Sequence, residues 1–213
     1  MRVNWSLCFV ADSEGASGQD ILRLSGESVE GGATIIQLRG KKWAGRKFLE
    51  IGIKSVRFLR PKKIPLIIND RVDIALACEA EGVHLGQDDM PLPYARKILG
   101  TNRIIGISAG SIKEAEAAED GGADYVGVGP IFATSSKEDI GPLLGLEGLR
   151  KIREKVKIPI LAIGGISATN VGDVIAAGAD GVAVISAITT AKIAKKAAAE
   201  IIESIHRQKG RRR

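Results

Sequence analysis

Three acids and three bases carry the first chemical signal in this chain. Asp70 follows the apolar run Leu66–Ile68 in IINDR, and Asp88 and Asp89 follow Val83–Leu85 in GVHLGQDDM. If those runs are neighbouring strands, about 5 Å apart, Asp70 can approach one of Asp88 or Asp89. Two facing carboxylates repel, and one of them protonates unless a cation sits between them. Magnesium suits such a pair, because it takes one or two protein carboxylates and completes its octahedron with water and phosphate oxygens. Taken singly, each acid also fits a helix start, Asp70 ahead of Val72–Cys78 and Asp89 ahead of Pro91.

The bases tilt the balance toward the metal. Arg39 and Lys41 stand in QLRGK and Lys137 in GPIFATSSK. Cations beside a magnesium-type pair imply a polyanion, and a diphosphate suits arginine as a two-pronged partner and lysine as a point charge. A second anion site is signalled by AIGGIS and VISAI, which bring Gly165 and Ser186 to glycine turns and a helix start. The hydroxyls of Thr134, Ser135 and Ser136 are placed to close over the same anion. The loop 132–145 that carries them is longer than the usual connection of about 2–6 residues, and its composition suits a lid. Only His84 and His206 are present, and no Ser-His or Cys-His nucleophile is visible. A magnesium-bound diphosphate needs little acid catalysis to leave, so ionisation or displacement of a diphosphate ester, with a second, phosphorylated substrate as nucleophile, is the chemistry expected.

These residues need elements to position them. Short apolar runs alternate with helical stretches eight times: Leu7–Val10, Thr34–Leu38, Leu66–Ile68, Val83–Leu85, Ile104–Ile107, Tyr125–Val128, Ile160–Ile163 and Gly181–Ile185. Helices are expected over Phe48–Leu59, Ser111–Asp120, Leu146–Val156, Ala168–Ala177 and Ala191–Ile205. Continuously apolar strands are buried on both faces, and eight such βα units make a closed parallel (β/α)8 TIM barrel of the α/β class. The polar motifs follow the strands, at the end where barrels of this kind carry their chemistry. The glycines of Gly32-Ala33, Gly122-Ala123 and Gly178-Ala179 fall between helix and strand, where the chain must reverse.

Composition narrows the partners. A chain of 213 residues that is 45% hydrophobic can bury one substantial core, and the division expected is one catalytic domain over 1–206 and a basic, disordered tail over 207–213. Of the formal net charge of +6, Arg207, Lys209, Arg211, Arg212 and Arg213 supply five, which leaves +1 for the rest. Without interleaved aromatics such a tail does not indicate nucleic acid. No run reaches the ~18 apolar residues of a membrane span, and no signal region precedes Asp12. Cys8 and Cys78 read as reduced packing residues. A cytoplasmic protein that takes small molecules, alone or as a homo-oligomer, is expected.

In order and spacing, QLRGK, IINDRVDIA, GVHLGQDD, IGIS, GADYVGVGPIFATSSK, AIGGI and GADGVAVISAI resemble the thiamine phosphate synthase family, from Leu7 to about Ile188. The resemblance implies a transferase that couples 4-amino-2-methyl-5-hydroxymethylpyrimidine diphosphate to a methylthiazole ethyl phosphate, or its carboxylated form, with Mg2+. It implies pyrimidine diphosphate contacts at Gln37, Arg39, Lys41, Asn69, Ser108 and Lys137, with Leu38 and Gly40 in the same stretch. Magnesium would be held by Asp70 and Asp89, leaving Asp88 as a helix-start residue. Thiazole phosphate contacts fall on Thr134, Ser135, Ser136, Gly165, Ile185 and Ser186, and Ser108, Lys137 and Arg39 stand nearest the chemistry. The implied mechanism is dissociative, diphosphate leaving before the thiazole nitrogen attacks. Gly40 departs from the acid common in the family, which suggests a looser loop. Two other readings are a thiazole tautomerase-like barrel with a histidine base and a non-enzymatic phosphate-ligand binding protein.

Overall fold

Strands this short and this apolar have no wet face, so they must be covered on both sides. In the computed structural model, which describes residues 3–14, 18–134 and 142–210, they close into one parallel barrel in chain order. The strands are β1 (Leu7–Asp12), β2 (Ile35–Arg39), β3 (Leu66–Asn69), β4 (Gly82–Leu85), β5 (Ile104–Ala109), β6 (Tyr125–Val128), β7 (Ile160–Ile163) and β8 (Gly181–Val184). The helices are α1 (Gly18–Glu30), α2 (Gly45–Leu59), α3 (Val72–Ala77), α4 (Leu92–Leu99), α5 (Ile112–Asp120), α6 (Gly145–Lys155), α7 (Val171–Ala176), α8 (Ser186–Thr189) and α9 (Ala194–Gly210).

Period-two alternation sorts the strand residues into two clusters. Leu7, Phe9, Ile36, Leu38, Leu66, Ile68, Val83 and Leu85 join the large cluster that includes the helices' buried side chains. Cys8, Val10, Ile35, Ile67, Tyr125, Leu161 and Ala183 form a separate cluster; alternation puts these on the opposite, inward face, where they fill the lumen. Burial raises the Cys8 thiol to about 12, so it stays an inert packing group, and both cysteines are free and buried. Among the described residues no helix is long and apolar enough to cross a membrane.

A fourfold device holds the base of the barrel. Gly32-Ala33-Thr34, Glu79-Ala80-Glu81, Gly122-Ala123-Asp124 and Gly178-Ala179-Asp180 each lead into an even-numbered strand. The first residue of each takes a positive φ, of 103°, 57°, 84° and 117° in turn. The third residue's side-chain oxygen accepts an N–H from the start of the preceding odd-numbered strand: Leu7 to Thr34 at 3.0 Å, Leu66 to Glu81 at 2.9 Å, Ile105 to Asp124 and Ile160 to Asp180 at 2.8 Å. Thr34, expected to open a strand, is instead this clamp. Arg96 and Arg153 brace Asp124 and Asp180.

Among the boundaries that differ from expectation, two have a visible cause. Asn170 turns its side chain onto the Ser167 N–H and the Gly165 carbonyl, at 2.8 and 2.9 Å, so α7 starts only at Val171. At the other end α9 runs to Gly210, past residue 206, and the Lys209 ammonium donates to the Asp180 carbonyl at 2.5 Å. That contact at the barrel base keeps the helix wound; residues 211–213 lie outside the described residues.

Two substitutions at the base test the device with opposite signs. Asp180→Ala strands the Ile160 N–H and should lower unfolding free energy by about 1–3 kcal/mol. Glu79→Gly relieves a left-handed residue and should raise it by about 1 kcal/mol. Urea titrations read both, and equal signs would refute the clamp.

Candidate active site

The polar positions gather where the strands end. A cavity of about 640 Å³ opens at the carboxyl ends of the barrel, and Arg39, Lys41, Asn69, Asp70, Asp89, Ser108, Thr134, Gly165, Ile185 and Ser186 all line it. Alternation explains much of this: Arg39, Asn69 and Ser108 lie in strands and share the inward face of their elements with the lumen residues. Gln37 and Leu38 do not line the cavity. Gln37 is inward but one layer lower, hydrogen-bonded to the buried Tyr125 hydroxyl, and Leu38 points outward into the helix layer. Gly40 is beside the cavity rather than in it. A Cβ there would lie 2.6 Å from the Trp43 ring, and the Trp43 N–H closes a turn onto the Gly40 carbonyl at 3.0 Å. The loop is therefore packed, not loosened.

Asp70 and Asp89 meet across the ends of β3 and β4. Asp70 sits in the left-handed region at φ 65°, unusual for a residue with a side chain, and its N–H donates to the His84 carbonyl at 2.8 Å. Asp89 is fixed by the Gly86 N–H at 2.7 Å. Burial, and then the hydrogen bond and charge of Asp89, push the Asp70 carboxyl up from 3.8 to about 6; Lys41 and Arg39 pull the other way. The Lys41 ammonium lies 3.8 Å from Asp70. Neither acid caps a helix: α3 has Arg71 as its cap and α4 has Pro91, both without a side-chain cap bond. Asp88 is exposed at the cavity rim ahead of α4, outside the helix start expected for it.

This pair fits a hard divalent cation. Its donors are all oxygen, and a carboxylate whose proton affinity is raised by its carboxylate neighbour, as that of Asp70 is by Asp89, gains from a metal in the proton's place. Among the described residues no group of three or more His, Cys, Asp or Glu gathers as a metal cage. A two-carboxylate site leaves the remaining positions to water and phosphate oxygens, which is the magnesium habit.

Arg39 has partners that the sequence did not disclose. Its guanidinium is buried and pairs with the buried Asp12, and Glu14 lies 3.5 Å away. Asp12 was hidden because β1 runs on past Val10 to residue 12, which brings it opposite Arg39 in the β1–β2 register. Charge balance was the available signal: a buried arginine at a strand end demands a carboxylate nearby. The pair holds the guanidinium plane at the cavity wall.

The opposite wall is built from β7 and β8. Gly164 and Gly165 take φ of 103° and 61°, and a Cβ on Gly165 would lie 2.6 Å from the Ala133 carbonyl oxygen. Only glycine fits, so the backbone itself lines this wall, beside Ile185 and Ser186 at the start of the four-residue α8. Thr134 joins it; Ser135, Ser136 and Lys137 lie outside the described residues, as does the middle of the expected lid, residues 135–141.

Fold and cavity define a (β/α)8 barrel with an acidic pair and a buried arginine on one side of its mouth and a glycine-walled pocket on the other. Residues 7–188 match the family model described as thiamine monophosphate synthase, and the chain belongs to that family. It is 50% identical to the thiamine-phosphate synthase of Moorella thermoacetica over 97% of this chain and 99% of that one. With the thiamine-phosphate synthase of Clostridium novyi it shares 48% over 88% and 92%. Among solved structures, the thiamine phosphate pyrophosphorylase of Pyrococcus furiosus superposes with a TM-score of 0.88 at 40% identity, covering 96% of this chain and 97% of that one.

The raised Asp70 carboxyl has a signed consequence. The folded protein holds that proton more tightly than the unfolded chain, so metal-free stability falls as pH rises from about 4 to 6 and does not recover above. Asp70→Asn should therefore stabilise the metal-free protein at pH 8 by about 1–2 kcal/mol, allowing for solvent screening, and have little effect at pH 3.5. Denaturant midpoints at both pH values check it.

Proposed function

We propose that the protein is a transferase that joins 4-amino-2-methyl-5-hydroxymethylpyrimidine diphosphate to 4-methyl-5-(2-hydroxyethyl)thiazole phosphate, or to its carboxylated form with loss of CO2, releasing thiamine phosphate and pyrophosphate. The observation that carries this reading is the Asp70–Asp89 pair beside Lys41 and the buried Arg39, in one cavity with the glycine wall. Family membership and relatives named thiamine-phosphate synthase support it.

In this reading the diphosphate lies against Arg39, Lys41 and Lys137, with Asn69 and Ser108 holding the pyrimidine. Arg39 keeps its orientation through Asp12, which spares the entropy of ordering a long cation when ligand arrives. Held between Asp70 and Asp89, Mg2+ would neutralise diphosphate charge and ease departure of that group. The methylene carbon–oxygen bond breaks, the diphosphate keeps the electron pair, and the aminopyrimidine carries the positive charge. The thiazole nitrogen supplies the pair for the new carbon–nitrogen bond. Thr134, Ser135, Ser136, Gly165, Ile185 and Ser186 hold the thiazole phosphate so that its ring faces that carbon. No general base is needed, because the attacking nitrogen carries no proton to lose.

The tautomerase alternative needs a histidine base at the mouth. His84 is buried and has a partner on each ring nitrogen, Tyr125 on Nδ1 and Ser108 on Nε2, which disfavours that role. A cytoplasmic setting is in keeping with the two free thiols, and self-association would leave this reading intact.

Incubating the protein with both substrates and Mg2+ and measuring pyrophosphate tests the assignment; no release would end it. Asp70→Asn and Asp89→Asn should each slow turnover about 100-fold or more, and Asp88→Asn only slightly. Ser186→Ala should weaken the thiazole phosphate more than the pyrimidine diphosphate when each is titrated separately.

A further inference from the structure

The barrel interior holds a line of polar groups of which the proposed chemistry uses only the last, Ser108. The Tyr125 hydroxyl lies 2.8 Å from His84 Nδ1, and His84 Nε2 lies 2.9 Å from the Ser108 hydroxyl. The Gln37 side chain also lies beside the Tyr125 hydroxyl. Gln37, His84 and Tyr125 are all buried, and the line spans β2, β6, β4 and β5. Only its last member, Ser108, reaches the cavity.

Room for this line has been made deliberately in the sequence. Gly106 sits between His84 and Tyr125 in the strand register, and a Cβ on it would fall within the Tyr125 ring. Gly127 is opposite Ser108, and a Cβ there would come 2.8 Å from His84 Cε1. Two inward positions are thus emptied to admit one tyrosine and one histidine. Trp5 packs on the Tyr125 ring with centroids 4.9 Å apart, and Gln87 donates to the Ser108 carbonyl at 2.6 Å, so both ends are pinned. Packing alone would be served better by apolar side chains, which bring no desolvation cost.

The line also has a direction. Burial keeps the Tyr125 proton in place by pushing the phenol well above its ordinary range. The phenol keeps its proton and donates it, in a hydrogen bond, to its 2.8 Å partner, His84 Nδ1. The neutral imidazole then carries its proton on Nε2 and donates to Ser108 Oγ. Ser108 is left with its own proton to offer the cavity.

We propose that His84 and Tyr125 are positioning residues that, through Tyr125–His84–Ser108, fix the Ser108 hydroxyl as a hydrogen-bond donor toward the ligand. The partner it selects is an acceptor, such as a pyrimidine ring nitrogen or a phosphate oxygen, and not an N–H. This rests on the proposed function only for the kinetic part of its test.

Nitrogen-15 NMR of the imidazoles in the ligand-free protein tests the direction without any activity. The only other histidine, His206, is exposed on α9, and His206→Gln assigns the two signals. A neutral His84 with its proton on Nε2 is expected; a proton on Nδ1, or an imidazolium at pH 7.5, overturns the proposal. Tyr125→Phe, which keeps the ring, should shift His84 toward a mixture of tautomers and lower kcat about tenfold with a smaller change in KM. On a Ser108→Ala background the same change should cost less than about twofold, because the line then has nothing to orient. Full additivity of the two substitutions would overturn the proposal. Should Tyr125→Phe not fold, the tautomer in the unmodified protein still decides. A protein that releases no pyrophosphate but carries the Nε2 proton fails the activity and keeps the positioning.

Discussion

Two carboxylates forced together at the mouth of the barrel are the constraint around which the rest is arranged. Asp70 and Asp89 are brought face to face by the β3–β4 neighbour relation, and Asp70 reaches that position through a left-handed backbone. Neither feature is what stability alone would select: like charges repel and a non-glycine αL residue is strained. Both persist because the closed barrel gives the strand ends no freedom to separate. The result is a pair of carboxylates held under electrostatic tension, with the Asp70 proton bound more tightly for it.

That tension is contained by fixed counter-charges. Asp12 holds Arg39, and Glu14 sits between Arg39 and Lys42, with the Lys42 ammonium 3.2 Å away. These acids pair directly with the cations and hold them in place at the cavity wall. Across the cavity the backbone at Gly164 and Gly165 lines the wall where a side chain would collide. One wall thus offers charge and the other offers shape, which suits two phosphorylated ligands that must be told apart.

Beneath the mouth the same alternation that packs the lumen carries polar groups upward. Tyr125 shares a cluster with Cys8, Ile35 and Leu161, yet its hydroxyl reaches His84 and so the site. The base of the barrel, by contrast, repeats one solution four times, with a reversed residue, an alanine and a clamp into the preceding strand. Stability is concentrated there and polarity at the top, the division of labour expected of this fold.

Sequence by itself determined the eight-strand plan, because doubly buried strands must be apolar along their length, and it placed Asp70, Asp89, Arg39, Lys41 and Ser108 at strand ends. The glycines before β2, β6 and β8 were legible for the same local reason, a backbone that must reverse. What only the tertiary structure decided depends on who faces whom across the closed sheet. Register set Asp12 opposite Arg39, where a strand read two residues short had hidden it. The distinction between Leu38 turned outward, Gln37 one layer down and Arg39 at the cavity is a matter of depth, which period-two patterning cannot give. Glu79 doing the work of a glycine, and His84 bridging Tyr125 and Ser108 from separate strands, are likewise properties of closure: their partners lie far apart in the chain and meet only when the barrel shuts.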